Sequence, residues 1–243
     1  MKIRPVGLAT LLGGIVGSLL VWWIKRKGTA EEPVKGEQGM KGSDPGKPAR
    51  GASPEIVPTS VQDIGPYYPV TEPTDREGDL TMVKGKAGAA QGHVVYLSGR
   101  VLDLGGKPIH DALVEIWQAN TFGRYAHPDE TNPAPLDPNF EGHGAAVTGL
   151  DGRYRFKTVK PAAYPAASGV TRAPHIHFMV TAGPHKLITQ MYFAGEPLNK
   201  TDPLLGTAEN KESLIASVTS ASPDAEPGAL VVTWDIVLPR TPE

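Results

Sequence analysis

The chain contains no cysteine, and its 243 residues carry a formal net charge of only −2. The absence of cysteine excludes disulfide bonds, iron–sulfur clusters, thiolate zinc sites and cysteine nucleophiles. The nearly balanced charge provides no overall field that would attract nucleic acid, so no nucleic-acid partner is expected. Any metal must therefore be held by histidine, by carboxylate or, less commonly, by tyrosine.

Long helical periodicity is also missing, whereas glycine (28 residues) and proline (24 residues) are abundant. From about Thr59 onwards, short apolar or alternating segments recur between turn signals such as Leu104–Lys107 and Leu150–Arg153. This pattern predicts an all-β fold, an antiparallel β-sandwich with long loops, and one short helix at Ala208–Val218. The predicted strands are Val94–Leu102, Ala112–Gln118, Arg153–Thr158, His175–Thr181, Leu187–Phe193 and Leu230–Leu238.

The longest uncharged apolar run lies near the N-terminus, at Pro5–Ile24. Its twenty residues just span a bilayer core as a helix, and Trp22 and Trp23 stand where membrane-interface aromatics are found. A cleaved secretory signal is the alternative, but the run is long for one and the basic triplet Lys25–Lys27 occupies the cleavage region. We therefore expect a retained N-terminal membrane helix. Because the charges that flank it nearly balance, the side of the membrane stays open.

Composition divides the rest of the chain into two parts. Residues 28–58 are rich in Gly, Pro, Lys and Glu and poor in large apolar residues, which is typical of a flexible linker. The expected organisation is a membrane anchor at 1–27, a linker at 28–58 and a β-sandwich domain at 59–243.

The segment Thr171–Phe178 combines a strand pattern with two histidines. Side chains two apart on a strand point to the same face, so His175 and His177 can direct both imidazoles at one point. Two converging neutral imidazoles are a common metal-binding arrangement. Arg172 lies three positions before His175, where it could face whatever the metal binds.

Two tyrosines lie in loops that follow predicted strands. Tyr125 ends the segment that starts at Trp117, and Tyr164 lies in Lys160–Pro165. A phenolate is a hard oxygen donor that prefers a ferric ion to zinc or ferrous iron. An isolated tyrosine more often packs or caps a loop, and a zinc or copper site made by histidines alone would leave both tyrosines without a role.

A series of short motifs follows in order between Ile64 and Leu205. The motifs are Ile64-Gly-Pro-Tyr-Tyr68, Leu97-Ser-Gly-Arg-Val-Leu-Asp103, Val114-Glu-Ile-Trp-Gln-Ala-Asn120, Gly123-Arg-Tyr125, Asp137-Pro-Asn-Phe140, Gly152-Arg-Tyr-Arg-Phe156, Lys160-Pro161 with Tyr164, Arg172 with His175-Ile-His177, and Thr189-Gln-Met-Tyr-Phe193. In this order they resemble the intradiol ring-cleavage dioxygenases, in particular the protocatechuate 3,4-dioxygenase type. The resemblance implies a β-sandwich enzyme that carries one non-haem ferric ion, Fe(3+), per chain.

The resemblance also implies the ligands and the reaction. Tyr125, Tyr164, His175 and His177 would bind the ion, with Tyr164 and His177 axial and Tyr125 and His175 equatorial beside a hydroxide. The substrates would be a catechol and O2, and cleavage between the two hydroxylated carbons would give a muconate-type diacid. Tyr164 would leave the metal when the catechol binds and would act as a base.

Further residues are assigned to the substrate site by the same resemblance. Arg172 and Gln190 would stabilise negative charge on the catecholate ring, and Tyr67 and Trp117 would form the pocket wall or its backing. The purely structural interpretations are a salt bridge for Arg172, a strand hydrogen bond for Gln190 and core packing for Trp117. An oligomer or a companion subunit is compatible with the sequence.

One segment departs from the family pattern, which leaves the substrate open. Pro165–Thr171 is short and lacks the aromatic residues usual there in protocatechuate enzymes, so we expect a reshaped pocket. The choice among protocatechuate, catechol, hydroxyquinol and larger catechols stays open. A non-catalytic alternative is a transthyretin-like or carboxypeptidase-regulatory binding module, which Gly99–Ile109 and Ala112–Glu115 resemble. That alternative gives no reason for the two tyrosines and two histidines to occur together.

Overall fold

The computed structural model describes residues 56–71, 78–166, 169–222 and 225–239. The predicted membrane anchor at 1–27 and most of the predicted linker at 28–58 lie outside these residues. Within the described ranges, no helix is long and apolar enough to cross a membrane. Thr59 is buried and its N–H donates to the carbonyl of Val237, so packing onto the sheet is already present there.

The described chain is all-β, as the sequence predicts. The helices that the structure describes in full are the one-turn helix α1, Pro203–Gly206, and the 3₁₀ helices Pro197–Lys200 and Lys211–Leu214. The strands are β1 Val94–Leu102, β2 Leu113–Trp117, β3 His143–Val147, β4 Arg153–Val159, β5 Tyr164–Pro165, β6 Thr171–Arg172, β7 His175–Ala182, β8 His185–Phe193, β9 Ile215–Ser220, β10 Leu230–Thr233 and β11 Ile236–Val237.

Nine of these strands form one continuous mixed sheet, which corrects the prediction of a purely antiparallel sandwich. The order is β11-β1-β10-β9-β8-β7-β2-β3, with β4 paired to β1, while β5 and β6 form a separate hairpin. β1 runs parallel to β10 and β11, and β8 runs parallel to β9. These partners are distant in sequence, so no tight hairpin imposes antiparallel pairing on them.

Strand β9 connects the two halves of the sheet. Ile215 and Ala216 pair with β8, whereas Ser217–Ser220 pair with β10. The halves face each other across the core, where the ring of Phe178 on β7 lies 6.0 Å from Tyr154 on β4 and 4.9 Å from Trp234. Exposed and buried side chains alternate along most of β4, because every second side chain points into this core.

Two predicted elements differ in the structure. The predicted helix Ala208–Val218 is instead the 3₁₀ helix Lys211–Leu214 followed by β9. The reason is tertiary, because this segment supplies the strand that bridges β8 and β10. The predicted strand Leu230–Leu238 is divided into β10 and β11, both of which pair with β1.

The fold places one end of β7 beside the ends of its two neighbours. β7 lies between β2 and β8, and His177 is level with Trp117 on one side and with Gln190 on the other. His175 is level with Tyr192 on β8. Two connections extend from this end of the sheet. They are residues 118–142, between β2 and β3, and the described residues 160–166 and 169–174, between β4 and β7.

Candidate metal centre

The two histidines of β7 converge as the strand period predicts. Their Nε2 atoms lie 3.2 Å apart, and both side chains are buried. His175 Nδ1 lies 2.6 Å from the carbonyl oxygen of Ala173, which can only accept, so Nδ1 carries the proton and Nε2 presents its lone pair. The ring of His177 stacks on Trp117, with centroids 5.0 Å apart and planes inclined by 13°. Both rings are therefore held in fixed orientations.

The loop tyrosines approach the same point. Tyr125 Oη lies 3.5 Å from His175 Nε2, and Tyr164 Oη lies 3.4 Å from the same atom. The loops that carry them meet at Gly123, which has φ +81°. A Cβ on Gly123 would lie 2.7 Å from the carbonyl oxygen of Ala163 and 3.2 Å from Tyr164 Cβ, so a larger residue would separate the two tyrosine loops.

A second glycine allows the N-terminal segment of the domain to cover His177. Gly65 has φ +74°, and a Cβ there would lie 3.0 Å from Cε1 of His177. The next residues place the ring of Tyr67 4.9 Å from that of Tyr125 and the ring of Tyr68 5.0 Å from that of Trp117. The motif Ile64–Tyr68 thus closes one side of the donor cluster.

The spacing of the donor atoms around His175 Nε2 suits the ligands of a single metal ion. Donors bonded to one ion at about 2 Å lie roughly 2.8–3.6 Å from one another. From His175 Nε2, the distances are 3.2 Å to His177 Nε2, 3.4 Å to Tyr164 Oη and 3.5 Å to Tyr125 Oη. No cluster of three or more His, Cys, Asp or Glu side chains within the described residues could hold a metal.

Burial keeps both histidines in the form that binds metals. Desolvation, assisted by the positive charge of Arg172, lowers the pKa of His175 to about 3. Desolvation, His175 and Arg172 lower the pKa of His177 well below its usual value. Both imidazoles are therefore neutral near pH 7, as ligation requires.

The pKa values of the two tyrosines are shifted upwards, whereas those of the histidines are lowered. Burial raises the pKa of Tyr125 well above its usual value, and neighbouring Tyr164 adds to the shift. Burial also raises the pKa of Tyr164, although the positive charge of Arg172 opposes the change. Without a cation both phenols stay protonated near pH 7, so a bound metal would have to displace their protons.

Arg172 lies beside Tyr164, its partner in the β5–β6 hairpin, and is fixed by a buried network. Its Nε donates to Asp202 Oδ2 at 2.9 Å, while Nη2 donates to Gln190 Oε1 at 2.7 Å and to Tyr192 Oη at 2.9 Å. A salt bridge is therefore present, but it is buried rather than exposed. The described hydrogen bonds of the guanidinium use Nε and Nη2 and leave Nη1 uncommitted.

Gln190 is fully buried, and both ends of its amide are engaged by the protein. Its Nε2 donates to the carbonyl of Asp63 at 2.7 Å, and its Oε1 accepts from Arg172 and from Tyr192. In this arrangement the side chain supports Arg172. The sequence-based expectation was instead that the amide of Gln190 stabilises negative charge on the substrate.

A cleft of about 720 Å³ opens beside the donor cluster. Tyr67, Tyr164 and Arg172 line it, whereas the buried Tyr125, His175 and His177 lie behind this surface. Trp117 lies behind His177 and backs the cluster. The described lining consists of Pro66, Tyr67, Glu130, Thr131, Asn132, Pro133, Tyr164, Pro165, Ala166, Val170, Arg172, Pro203 and Leu204.

Sequence reasoning missed three residues that surround the site. Asp202 holds Arg172 and also accepts from the N–H groups of Leu204 and Leu205, which caps α1. Tyr192 donates to Gln190 Oε1 at 3.0 Å, and Glu130 accepts from Tyr67 Oη at 3.3 Å. The Asp202-Pro203 pair is a helix N-cap signal and Tyr192 belongs to a quoted motif, but neither signal indicates contact with a residue thirty or twenty positions earlier.

Comparisons with known proteins agree with the fold. Residues 64–240 match a protein family described as Dioxygenase. The chain is 42% identical over 197 residues to the protocatechuate 3,4-dioxygenase beta chain of Burkholderia cepacia, covering 78% of this chain and 84% of that protein. It is 35% identical over 148 residues to catechol 1,2-dioxygenase of Acinetobacter baylyi, covering 55% of this chain and 46% of that protein.

Solved structures of dioxygenases also resemble this chain. The dioxygenase domain of a dioxygenase carbohydrate-binding fusion protein from Streptomyces sp. SirexAA-E is 31% identical, with a TM-score of 0.58, covering 76% of this chain and 100% of that chain. Catechol 1,2-dioxygenase from Acinetobacter sp. ADP1, inhibited by bound mercury, is 31% identical, with a TM-score of 0.60, covering 75% of this chain and 63% of that chain. The family match and these likenesses together show that the chain belongs to the intradiol ring-cleaving dioxygenases, a family of oxidoreductases.

Proposed function

We propose that the protein binds one ferric ion through Tyr125, Tyr164, His175 and His177 and cleaves a catechol-type ring with O2 between its two hydroxylated carbons. The product would be a muconate-type diacid. The observation that carries the proposal is that two buried phenols and the imidazole of His177 lie within 3.2–3.5 Å of His175 Nε2. When bound, the ferric ion would supply a Lewis acid and a template for the catecholate.

Tyr164 is the donor residue that an entering catechol would meet. Of the four donor residues, Tyr164 is the one that belongs to the described cleft lining, whereas the other three lie deeper. We therefore assign to Tyr164 Oη the role of accepting one of the two catechol protons while the substrate takes its place. Tyr125, which is more deeply buried, would remain a donor residue when the catechol binds.

Arg172 would stabilise the negative charge that develops on the substrate. It lines the cleft beside Tyr164, and its Nε and Nη2 are held by Asp202, Gln190 and Tyr192. A donor fixed before the substrate arrives stabilises developing charge without a reorganisation cost at the moment of reaction. The role of Gln190 in this proposal is to keep the guanidinium in place.

A companion subunit is part of the proposal. The relative from Burkholderia cepacia is named a beta chain, and this chain covers 84% of that relative. Purification of the full chain from its native cells, together with any protein that remains bound to it, tests this point when the mass of the complex is determined. A complex that contains only copies of this chain would contradict it.

The central test combines metal analysis, spectroscopy and product identification on the full chain. We expect about one iron per chain and a burgundy colour from phenolate-to-ferric charge transfer. Incubation with a panel of catechols and O2 should give muconate-type diacids rather than the semialdehydes of cleavage outside the diol. The His175→Ala/His177→Ala double variant serves as the iron-free control. A colourless protein that cannot be reconstituted with iron would contradict the proposal.

A further inference from the structure

The cleft beside Tyr164 is much larger than one catechol ring requires. Its volume of about 720 Å³ falls within the range of roughly 300–1,000 Å³ that holds drug-sized ligands. The described residues of the segment Pro165–Thr171, which departs from the family pattern, contribute to its wall. Pro165, Ala166 and Val170 form the described wall there, and none of them is aromatic. A substituent larger than a carboxyl group therefore has room beside the ring.

The wall is also largely apolar. Pro133 comes from the loop between β2 and β3, Val170 from the β5–β6 hairpin, and Pro203 and Leu204 from α1. An apolar substituent placed against these side chains would leave water, which favours binding in proportion to the apolar area that it buries.

The charges of the cleft are unfavourable for an anionic substituent. Among the described residues that line it, the charged side chains are Glu130 and Arg172. The charge of Arg172 is already paired with the buried carboxylate of Asp202, whereas no described salt bridge pairs Glu130 with a cation. Counting Asp202 with its partner, this group of three side chains carries a net charge of −1.

Two neutral donors of the lining, Tyr67 and Asn132, are engaged by the protein as well. Tyr67 Oη donates to Glu130, and Asn132 Nδ2 donates to the carbonyl of Gly123 at 2.8 Å. Asn132 Oδ1 accepts from the N–H of Ala134 at 3.0 Å, which fixes the amide. A carboxylate placed beside Glu130 would thus meet like charge without gaining a partner from Tyr67 or Asn132, and this juxtaposition opposes binding there.

We infer that the substrate is a catechol with a bulky, uncharged substituent, and that Glu130 selects against carboxylated catechols such as protocatechuate. This inference rests on the proposed function, because it concerns the same site. Glu130 acts on selectivity through its charge. Ala166 and Val170 act through the space that they leave open.

Three ligands distinguish the effect of the substituent's charge on binding from the effect of its size. Protocatechuate and 3,4-dihydroxybenzamide have nearly the same shape but differ in charge, whereas N-benzyl-3,4-dihydroxybenzamide adds an uncharged aryl group. Anaerobic titration of the iron-loaded full chain, followed by visible spectroscopy, gives Kd without turnover. We expect protocatechuate to bind at least about tenfold more weakly than the primary amide. We expect the benzyl amide to bind about tenfold more tightly than the primary amide.

Two variants test the residues. Glu130→Gln keeps an oxygen that can accept from Tyr67 and should reduce the preference for amide over acid about tenfold, while Glu212→Gln, an exposed acid outside the lining, should not. Ala166→Phe should remove the advantage of the benzyl amide, and Leu150→Phe, at a position that is 90% exposed, should retain it.

The outcomes separate this inference from the proposed function. Tighter binding of protocatechuate than of the primary amide to the unmodified protein would overturn the charge argument, whether or not any variant folds. Equal binding of the two amides would overturn the size argument. An iron-loaded chain that binds and cleaves none of these catechols would overturn the proposed function itself.

Discussion

Asp202 Oδ2 accepts a hydrogen bond from Arg172 Nε at 2.9 Å, and the other oxygen of the same carboxylate caps α1. One side chain thus connects the arginine beside the candidate metal centre to the helix that contributes Pro203 and Leu204 to the cleft wall. Both side chains are buried, so the guanidinium of Arg172 depends on the carboxylate of Asp202 for its ionic partner.

Replacement of Asp202 tests that connection. Asp202→Asn keeps an oxygen for the cap but removes the charge that pairs with Arg172, so we expect roughly 3 kcal/mol of lost stability. We also expect turnover to fall about tenfold to a hundredfold while iron content is retained. Thermal unfolding, metal analysis and single-turnover kinetics measure these effects. Asp235→Asn is the matched control, because the Arg100–Asp235 pair is exposed and should contribute at most about 1 kcal/mol.

Acid should weaken the same interaction. Burial alone would raise the pKa of Asp202, but the hydrogen bonds from Arg172 and from backbone N–H groups outweigh it and lower the pKa below its usual value. A carboxyl group with a depressed folded-state pKa stabilises the fold above its unfolded value of about 4, and this contribution is lost as pH falls through the folded pKa. Unfolding midpoints measured from about pH 5 down to about pH 2 should therefore decline more steeply in the unmodified protein than in Asp202→Asn. Parallel declines would contradict the linkage.

Removal of the arginine tests its proposed role in the reaction. Arg172→Ala should retain iron and colour but lower turnover about a hundredfold to a thousandfold, since a fixed cation beside the substrate is lost. It also leaves Asp202 buried without its partner, so the folded fraction must be measured before rates are compared. Near-normal turnover on the best substrate would show that Arg172 has only a structural role, as part of a salt bridge.

The two tyrosines should differ in their effects. Tyr164→Phe should slow substrate deprotonation and binding, because Tyr164 lines the cleft and is the proposed base. Tyr125→Phe should instead change the resting colour, since Tyr125 lies deeper and is proposed to remain a ligand throughout. Iron content, visible spectra and stopped-flow binding of a catechol distinguish the two variants. Identical spectral and kinetic changes in both would contradict the division of roles.

Deletion of residues 1–57 tests the predicted anchor and linker. The deleted part contains none of the proposed site residues, and Thr59 is the first buried residue of the described chain. We expect the shortened protein to stay in the soluble fraction and to retain activity, while the full chain partitions with membranes. Loss of folding in the shortened protein would show that the linker is structural.

Much of the fold could be predicted from local pattern. β1 was predicted at Val94–Leu102 and has those bounds, because its alternation matches a sheet that is buried on one face. β9 could not be predicted, since the direction and the partners of Ile215–Ser220 depend on β8 and β10. The mixed sheet has the same cause, because pairings between segments that are distant in sequence leave no local signal.

The sequence by itself indicated the family and predicted the four donor residues. The absence of cysteine limited the metal ligands, the strand period placed His175 and His177 on one face, and the ordered motifs indicated the two tyrosines. Tertiary structure alone decided how these groups are surrounded. Asp202 meets Arg172 across thirty residues, and Glu130 faces a cleft whose other wall comes from the β5–β6 hairpin. Such contacts arise when distant loops meet at one end of a sheet, and a linear pattern records only the period within each strand.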